Sequence, residues 1–184
     1  MPIYQPSILD NIEDIAAYRK GGFHPTHIGD QFDNGRYRIF HKLGYGGLST
    51  VWLARDEARK QLVSLKILTA EASSRRCSEL EIFREIGNGS TNYPGRHYVM
   101  SILDHFYFDG PNGSHLCLVS EFAGPSIRQM SFAPGKAAGS RRLRWDIAHN
   151  FARQTTEAVG FLHAAGIVHG GAIDLLFHIE HLGL

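Results

Sequence analysis

The chain has 184 residues, 43% of them hydrophobic and 20% charged, with a formal net charge of +1. This is the composition of an ordinary globular protein long enough for one sizeable core. It gives no reason to expect direct nucleic-acid binding or attachment to an anionic membrane. Two cysteines, Cys77 and Cys117, exclude a disulfide framework, and no apolar run approaches the ~20 residues that span a bilayer. The N-terminus lacks a basic head followed by an apolar stretch, so an intracellular protein, cytoplasmic or nuclear, is expected.

Residues 1–35 show little periodicity and read as an N-terminal arm, with Ile8, Ile12 and Ile15 on one face of a short helix. From Arg36 the pattern is antiparallel β. Tyr37, Ile39 and His41 alternate with Arg38, Phe40 and Lys42, leading into Leu43-Gly44-Tyr45-Gly46-Gly47-Leu48-Ser49 and a second strand, Thr50 to Ala54. Glycines at a strand-turn-strand junction let backbone N–H groups fold over an anion such as a nucleotide phosphate. A dinucleotide fingerprint would need a helix directly after the glycines, and here a strand follows.

The polar stretch Asp56 to Gln61 is a turn into a third strand, Leu62 to Leu68, which carries Lys66 in its middle. A lysine inside an apolar strand is costly unless its ammonium meets an anion. Ser73 to Ile86 reads as a helix that presents Glu79 and Glu81 as carboxylate partners for Lys66. Glu79 is preferred because it lies one turn before Phe83 on the inward face. Tyr98 to Phe108 and Leu116 to Phe122 are two more strands, joined by Asp109-Gly110-Pro111-Asn112-Gly113-Ser114. The sum is an α+β lobe over 36–123, five antiparallel strands with one helix on a face.

Residues 124–144 read as a solvated linker with a basic cluster at Arg141, Arg142 and Arg144. Trp145 to Ala165 is the strongest helix, with Ile147, Phe151, Ala158, Val159 and Leu162 in a stripe and Gly166 as its stop. The tail opens at Ile167-Val168 like a buried strand.

The chain resembles eukaryotic-type protein kinases, and among them the SR-protein kinases. The residues that carry this are Lys20-Gly21-Gly22-Phe23-His24-Pro25, His27-Ile28-Gly29-Asp30, Gly35-Arg36-Tyr37, Lys42-Leu43-Gly44-Tyr45-Gly46, Leu48-Ser49-Thr50-Val51-Trp52-Leu53-Ala54 and His115-Leu116-Cys117-Leu118-Val119. The resemblance implies a kinase N-terminal lobe followed by an incomplete C-terminal lobe over 145–184, one long helix and a catalytic-loop stub. It implies that Gly44, Gly46 and Ser49 cover the phosphates of ATP, with Val51 on the adenine and Leu43 and Gly47 also among the nucleotide-binding residues. Lys66 would hold the α- and β-phosphates and Glu79 would pair with it. Ser120 would stand at the gatekeeper position, and Glu121, Phe122 and Ala123 would form the hinge.

The resemblance also exposes departures. The catalytic aspartate expected after His169-Gly170 is Gly171, and Asp174 falls nearer the position of a metal-binding asparagine, where it is the one candidate ligand for Mg2+. The sequence reaches Leu184 without an Asp-Phe-Gly. The expectation is a Ser/Thr protein kinase relative, truncated and catalytically impaired, whose intact family acts on Arg/Ser-rich proteins. The alternative is a non-catalytic nucleotide-binding module that regulates a partner. The glycine-proline arm and the Leu48-to-Ala54 string speak against a small-molecule kinase. With its covering helices missing, the stripe of helix 145–165 is expected to stand uncovered and to drive association.

Overall fold

A computed structural model describes residues 13–74, 78–88, 93–122 and 145–168. Its elements, in chain order, are β1 (Gln31–Phe32), β2 (Tyr37–Gly46), β3 (Ser49–Asp56), β4 (Gln61–Leu68), α1 (Ala70–Ser74), α2 (Ser78–Asn88), β5 (Ile102–Gly110), β6 (Gly113–Glu121) and α3 (Trp145–Ala164). The chain divides into two compact units, residues 1–81 with 102–122, and residues 82–101 with 123–184. The class is α+β, as expected. The sheet has six strands rather than five, in the order β1-β2-β3-β4-β6-β5 with every pairing antiparallel. The extra strand is the two-residue β1, too short to leave an alternation in the sequence.

The sheet's main core lies on one face. Tyr37 and Ile39 of β2, Trp52 and Ala54 of β3, Val63, Leu65 and Ile67 of β4, and Cys117 and Val119 of β6 pack together there. Phe32 joins them, with Leu103, Phe106 and Phe108 of β5 against the cluster. Each such side chain withdrawn from water contributes about 1.5–3 kcal/mol. A smaller cluster, Leu68, Leu80, Leu116 and Leu118 with Ala72 and Ile102, covers part of the opposite face and attaches α1 and the start of α2 to it. The stretch expected as one helix over Ser73–Ile86 is helical in α1 and α2, and residues 75–77 between them lie outside the described residues.

Strand β2 departs from simple alternation. Two register shifts against β3 leave Phe40 and then Leu43 without a direct partner. Each inserted residue switches the face that follows it. His41, which alternates with Tyr37 and Ile39 in the sequence, is therefore exposed opposite Leu53, while Lys42 pairs with Trp52 on the core side.

A network of charges ties β2, β3 and β5 together. The Arg36 guanidinium donates to both carboxylate oxygens of Asp56, at 3.3 and 3.1 Å, and to Asp104 at 2.6 Å, and the Tyr37 hydroxyl donates to Asp104 at 3.2 Å. Asp56 also accepts the backbone N–H groups of Ala58 and Arg59, which shapes the β3–β4 turn. Burial raises the Asp56 pKa, but the Arg36 bonds and the two N–H groups outweigh it and hold the carboxyl below its usual range. Asp104 is held low in the same way: burial opposes, while the His105 N–H, Arg36 and Tyr37 prevail.

In the second unit, α3 packs by Gln154, Ala158, Phe161 and Leu162, all buried, with Ile147, Phe151 and Val159 half-buried. The stripe expected to be uncovered is therefore largely covered. The Tyr93 ring lies 5.8 Å from that of Phe161, the Arg96 guanidinium stands over Phe161, and Arg153 donates to the Tyr98 hydroxyl. Gly95 makes this possible. Its φ is +87°, and a Cβ there would stand 2.1 Å from the Glu157 carbonyl oxygen. The segment expected to begin a strand at Tyr98 instead forms a 3-10 turn, Arg96–Tyr98, and the strand starts at Ile102. Val168, expected in a buried strand, is 85% exposed and lies outside any strand.

This packing generates three predictions. Arg36→Ala leaves the Asp56 carboxylate, whose side chain is only 2% exposed, without its counter-charge, and should cost about 2–4 kcal/mol by denaturant unfolding. The same carboxylates make wild-type stability full above the ordinary Asp value of 3.8 and progressively lost as pH falls through their lower folded values. Gly95→Ala combines left-handed backbone strain with a backbone overlap. It should cost at least about 2–3 kcal/mol, read as loss of the α3 thermal transition.

Candidate functional site

The glycine-rich stretch is a hairpin of β2 and β3, closed by the two residues Gly47-Leu48 between the paired Gly46 and Ser49. Its glycines are not demanded by the backbone. None of Gly44, Gly46 and Gly47 lies in the left-handed region. A Cβ at Gly44 or Gly47 would meet nothing within 4 Å, and at Gly46 only the Ser49 hydroxyl at 3.8 Å. Gly22, by contrast, has no room for a Cβ, which would stand 1.9 Å from the Ala17 carbonyl oxygen. The tip is anchored where Leu48 O accepts the Thr69 N–H at 2.9 Å, tying it to the end of β4. Leu48 and Tyr45 are exposed and Ser49 is buried. Leu43, at the second bulge, is half-buried.

The two bulges put Gly44 opposite Val51. Val51 in turn pairs with Lys66, and Lys66 with Leu118. One row of the sheet therefore runs Gly44, Val51, Lys66, Leu118, and Gly44 is two strand spacings, about 10 Å, from Lys66 along it. Lys66 is half-buried on a central strand between the fully buried Leu65 and Ile67. Alternation along β4 puts it on the face of Leu68, where Leu80 of α2 packs. The next row on that face is Leu53, Ser64 and Ser120, with Ser120 buried.

The start of α2 thus lies on the Lys66 face. Glu79 is within that helix, but its side chain lies outside the described residues, and Glu81 is half-buried. Glu121 ends β6 opposite Val63 and is exposed. Ala123, Gly171 and Asp174 lie outside the described residues. Among the described residues no group of three or more His, Cys, Asp or Glu side chains is gathered as for a metal ion, and no helix is long and apolar enough to cross a membrane.

Sequence reasoning missed the residues that support the hairpin from behind. Glu13 accepts from both Lys42 and Tyr18. Trp52 is the register partner of Lys42 and donates to the Thr50 hydroxyl at 3.0 Å. The signal for Glu13 was weak, one acid in an aperiodic arm. Lys42 was no more readable, since it reaches the core side only through the bulge at Phe40.

Comparison with known proteins supplies what the geometry leaves open. No family model matches the chain. It is 37% identical over 163 residues to Protein kinase dsk1 of Schizosaccharomyces pombe, covering 87% of this chain and 29% of that protein. It is 34% identical over 160 residues to Serine/threonine-protein kinase spk-1 of Caenorhabditis elegans, covering 85% and 16%. To SRSF protein kinase 3 of Homo sapiens it is 32% identical over 164 residues, covering 82% and 26%. The chain spans less than a third of the length of each of these curated relatives. With the sheet order, the glycine hairpin and the lysine strand on one face, these similarities make the chain an SR-protein-kinase-like member of the eukaryotic protein kinases.

Proposed function

We propose that this chain binds ATP with Mg2+ under the β2–β3 hairpin, as the nucleotide-binding part of a Ser/Thr protein kinase. The observation that carries this is the open space over Gly44 and Gly47: the fold does not need glycine there, and a closely approaching phosphate does. The N–H groups around Gly44, Gly46, Gly47 and Ser49 cover the phosphates, and Leu43 and Val51 pack on the adenine. Lys66 holds the α- and β-phosphates, oriented by Glu79 from α2, and the backbone of Glu121 and Ala123 meets the adenine edge. Asp174 is the residue of this chain assigned to Mg2+. ATP supplies the γ-phosphoryl group, and the acceptors in this reading are hydroxyls of Arg/Ser-rich proteins.

A second reading rests on Gly171, which stands where a base for the acceptor hydroxyl is expected. Without that carboxylate, binding proceeds and transfer does not, and the chain serves as a nucleotide-dependent regulator of a partner. Transfer from labelled ATP to an Arg-Ser repeat peptide separates the two, and transfer by the purified chain at the rate of an intact kinase would remove the second.

The nucleotide site has its own test. Gly44→Ala and Gly47→Ala should leave the melting temperature of the nucleotide-free chain unchanged or slightly raised, since alanine in a strand avoids a cost of about 0.5–1 kcal/mol. Both should weaken Mg-ATP binding at least about tenfold by calorimetry, as should Lys66→Met. Unchanged affinity in all three would end the assignment.

A further inference from the structure

The hairpin's position is set in part from outside the sheet. Glu13, at the start of the described arm, is 3% exposed in its side chain and forms an ion pair with Lys42 of β2. The Tyr18 hydroxyl donates to the same carboxylate oxygen, Oε1, while Oε2 is buried and has no partner among the described residues. A buried carboxylate is costly unless its bonds compensate. Here burial raises the Glu13 pKa, and the bonds from Lys42 and Tyr18 more than offset this.

From Lys42 the contacts run directly to the hairpin. The Lys42 ammonium stands 5.4 Å over the Trp52 ring. The Trp52 indole N–H holds the Thr50 hydroxyl, and Thr50 pairs with Tyr45 between Gly44 and Gly46. Lys42 also adjoins the bulge at Leu43, the point where β2 has slack to shift its phase. The arm's other end is equally fixed. Gly22 O and Gly21 O accept the N–H groups of Ala70 and Glu71 just beyond β4, and Asn112 of the β5–β6 turn donates to Phe23 O at 2.6 Å. The arm is therefore a strap from the root of the hairpin to the end of the strand that carries Lys66.

We propose that Glu13 is a positioning residue: through its ion pair with Lys42 the N-terminal arm sets the conformation of the glycine hairpin, and so the affinity for ATP, without touching the nucleotide. The second half of this statement rests on the ATP-binding reading above. The first half does not.

The test uses the full chain with Glu13→Gln, Lys42→Met, and the charge swap Glu13→Lys/Lys42→Glu, alongside wild type. In the nucleotide-free chain, amide hydrogen exchange over residues 43–50 should accelerate about tenfold in the two single variants, with β4 and β6 amides unchanged, and the swap should restore protection. Mg-ATP affinity should fall at least about fivefold in the single variants and recover in the swap. Acceleration spread evenly over the sheet, or none at the hairpin, would overturn the proposal, because the pair would then be purely structural. So would a loosened hairpin with unchanged affinity. If wild type binds no Mg-ATP while the exchange pattern holds, the strap stands and the ATP reading falls.

Discussion

Two inserted residues in β2, at Phe40 and Leu43, decide which residues the glycine hairpin is aligned with. A strand that kept strict alternation from Tyr37 and Ile39 would carry His41 and Leu43 to the core. Between the two bulges Lys42 comes to the core side against Trp52. The second bulge restores the original phase, so Gly44 lies on the opposite face as strict alternation would also have it, but slipped by two residues, in the row of Val51 and Lys66 rather than opposite Ser49. The bulges cost local pairing, and what they change at the glycines is register, which aligns Gly44 with the lysine row.

Lys66 meets a second constraint. Strand β4 has partners on both sides and carries fully buried Leu65 and Ile67 toward the main core. A side chain on its other face is held in one place by the sheet rather than by its own rotamers. Leu80 packs with Leu68 and Leu118 on that face, which brings the first turn of α2 alongside. An ammonium on such a strand is desolvated enough for an anion to bind it strongly and exposed enough for an anion to arrive. That balance is what a nucleotide tail requires.

The long elements were readable because period and punctuation agree in them. Strand β4 is an aliphatic run, the turns at Asp56 and Asn112 have the expected chemistry, and α3 ends at Ala164, just before Gly166 with φ +74°. The bulges were not readable, since inserting one residue leaves composition and propensity unchanged. Strand β1 was too short to leave an alternation in the sequence. The covering of α3 was misjudged because Tyr93, Arg96 and Tyr98 precede it by some fifty residues and have no helical period of their own. Phe161 was missed for a related reason: its burial depends on those partners. Of the site, Gly44, Val51 and Lys66 were legible as motif residues, whereas their alignment in a single row depends on register.

The glycines divide by physical cause, and the division bears on function. Gly35 and Gly95 have positive φ, and Gly22 has backbone where its Cβ would be, so the fold accounts for each of them. Gly44 and Gly47 have neither reason. Glycine in a strand or tight turn costs conformational entropy relative to alanine, and a position that bears this cost without a structural return implies a return elsewhere. Close approach of a ligand to the backbone is the one remaining benefit of a missing Cβ. The Glu13–Lys42 pair fits the same logic: a buried carboxylate that contributes little net stability gains its purpose if it holds that backbone still.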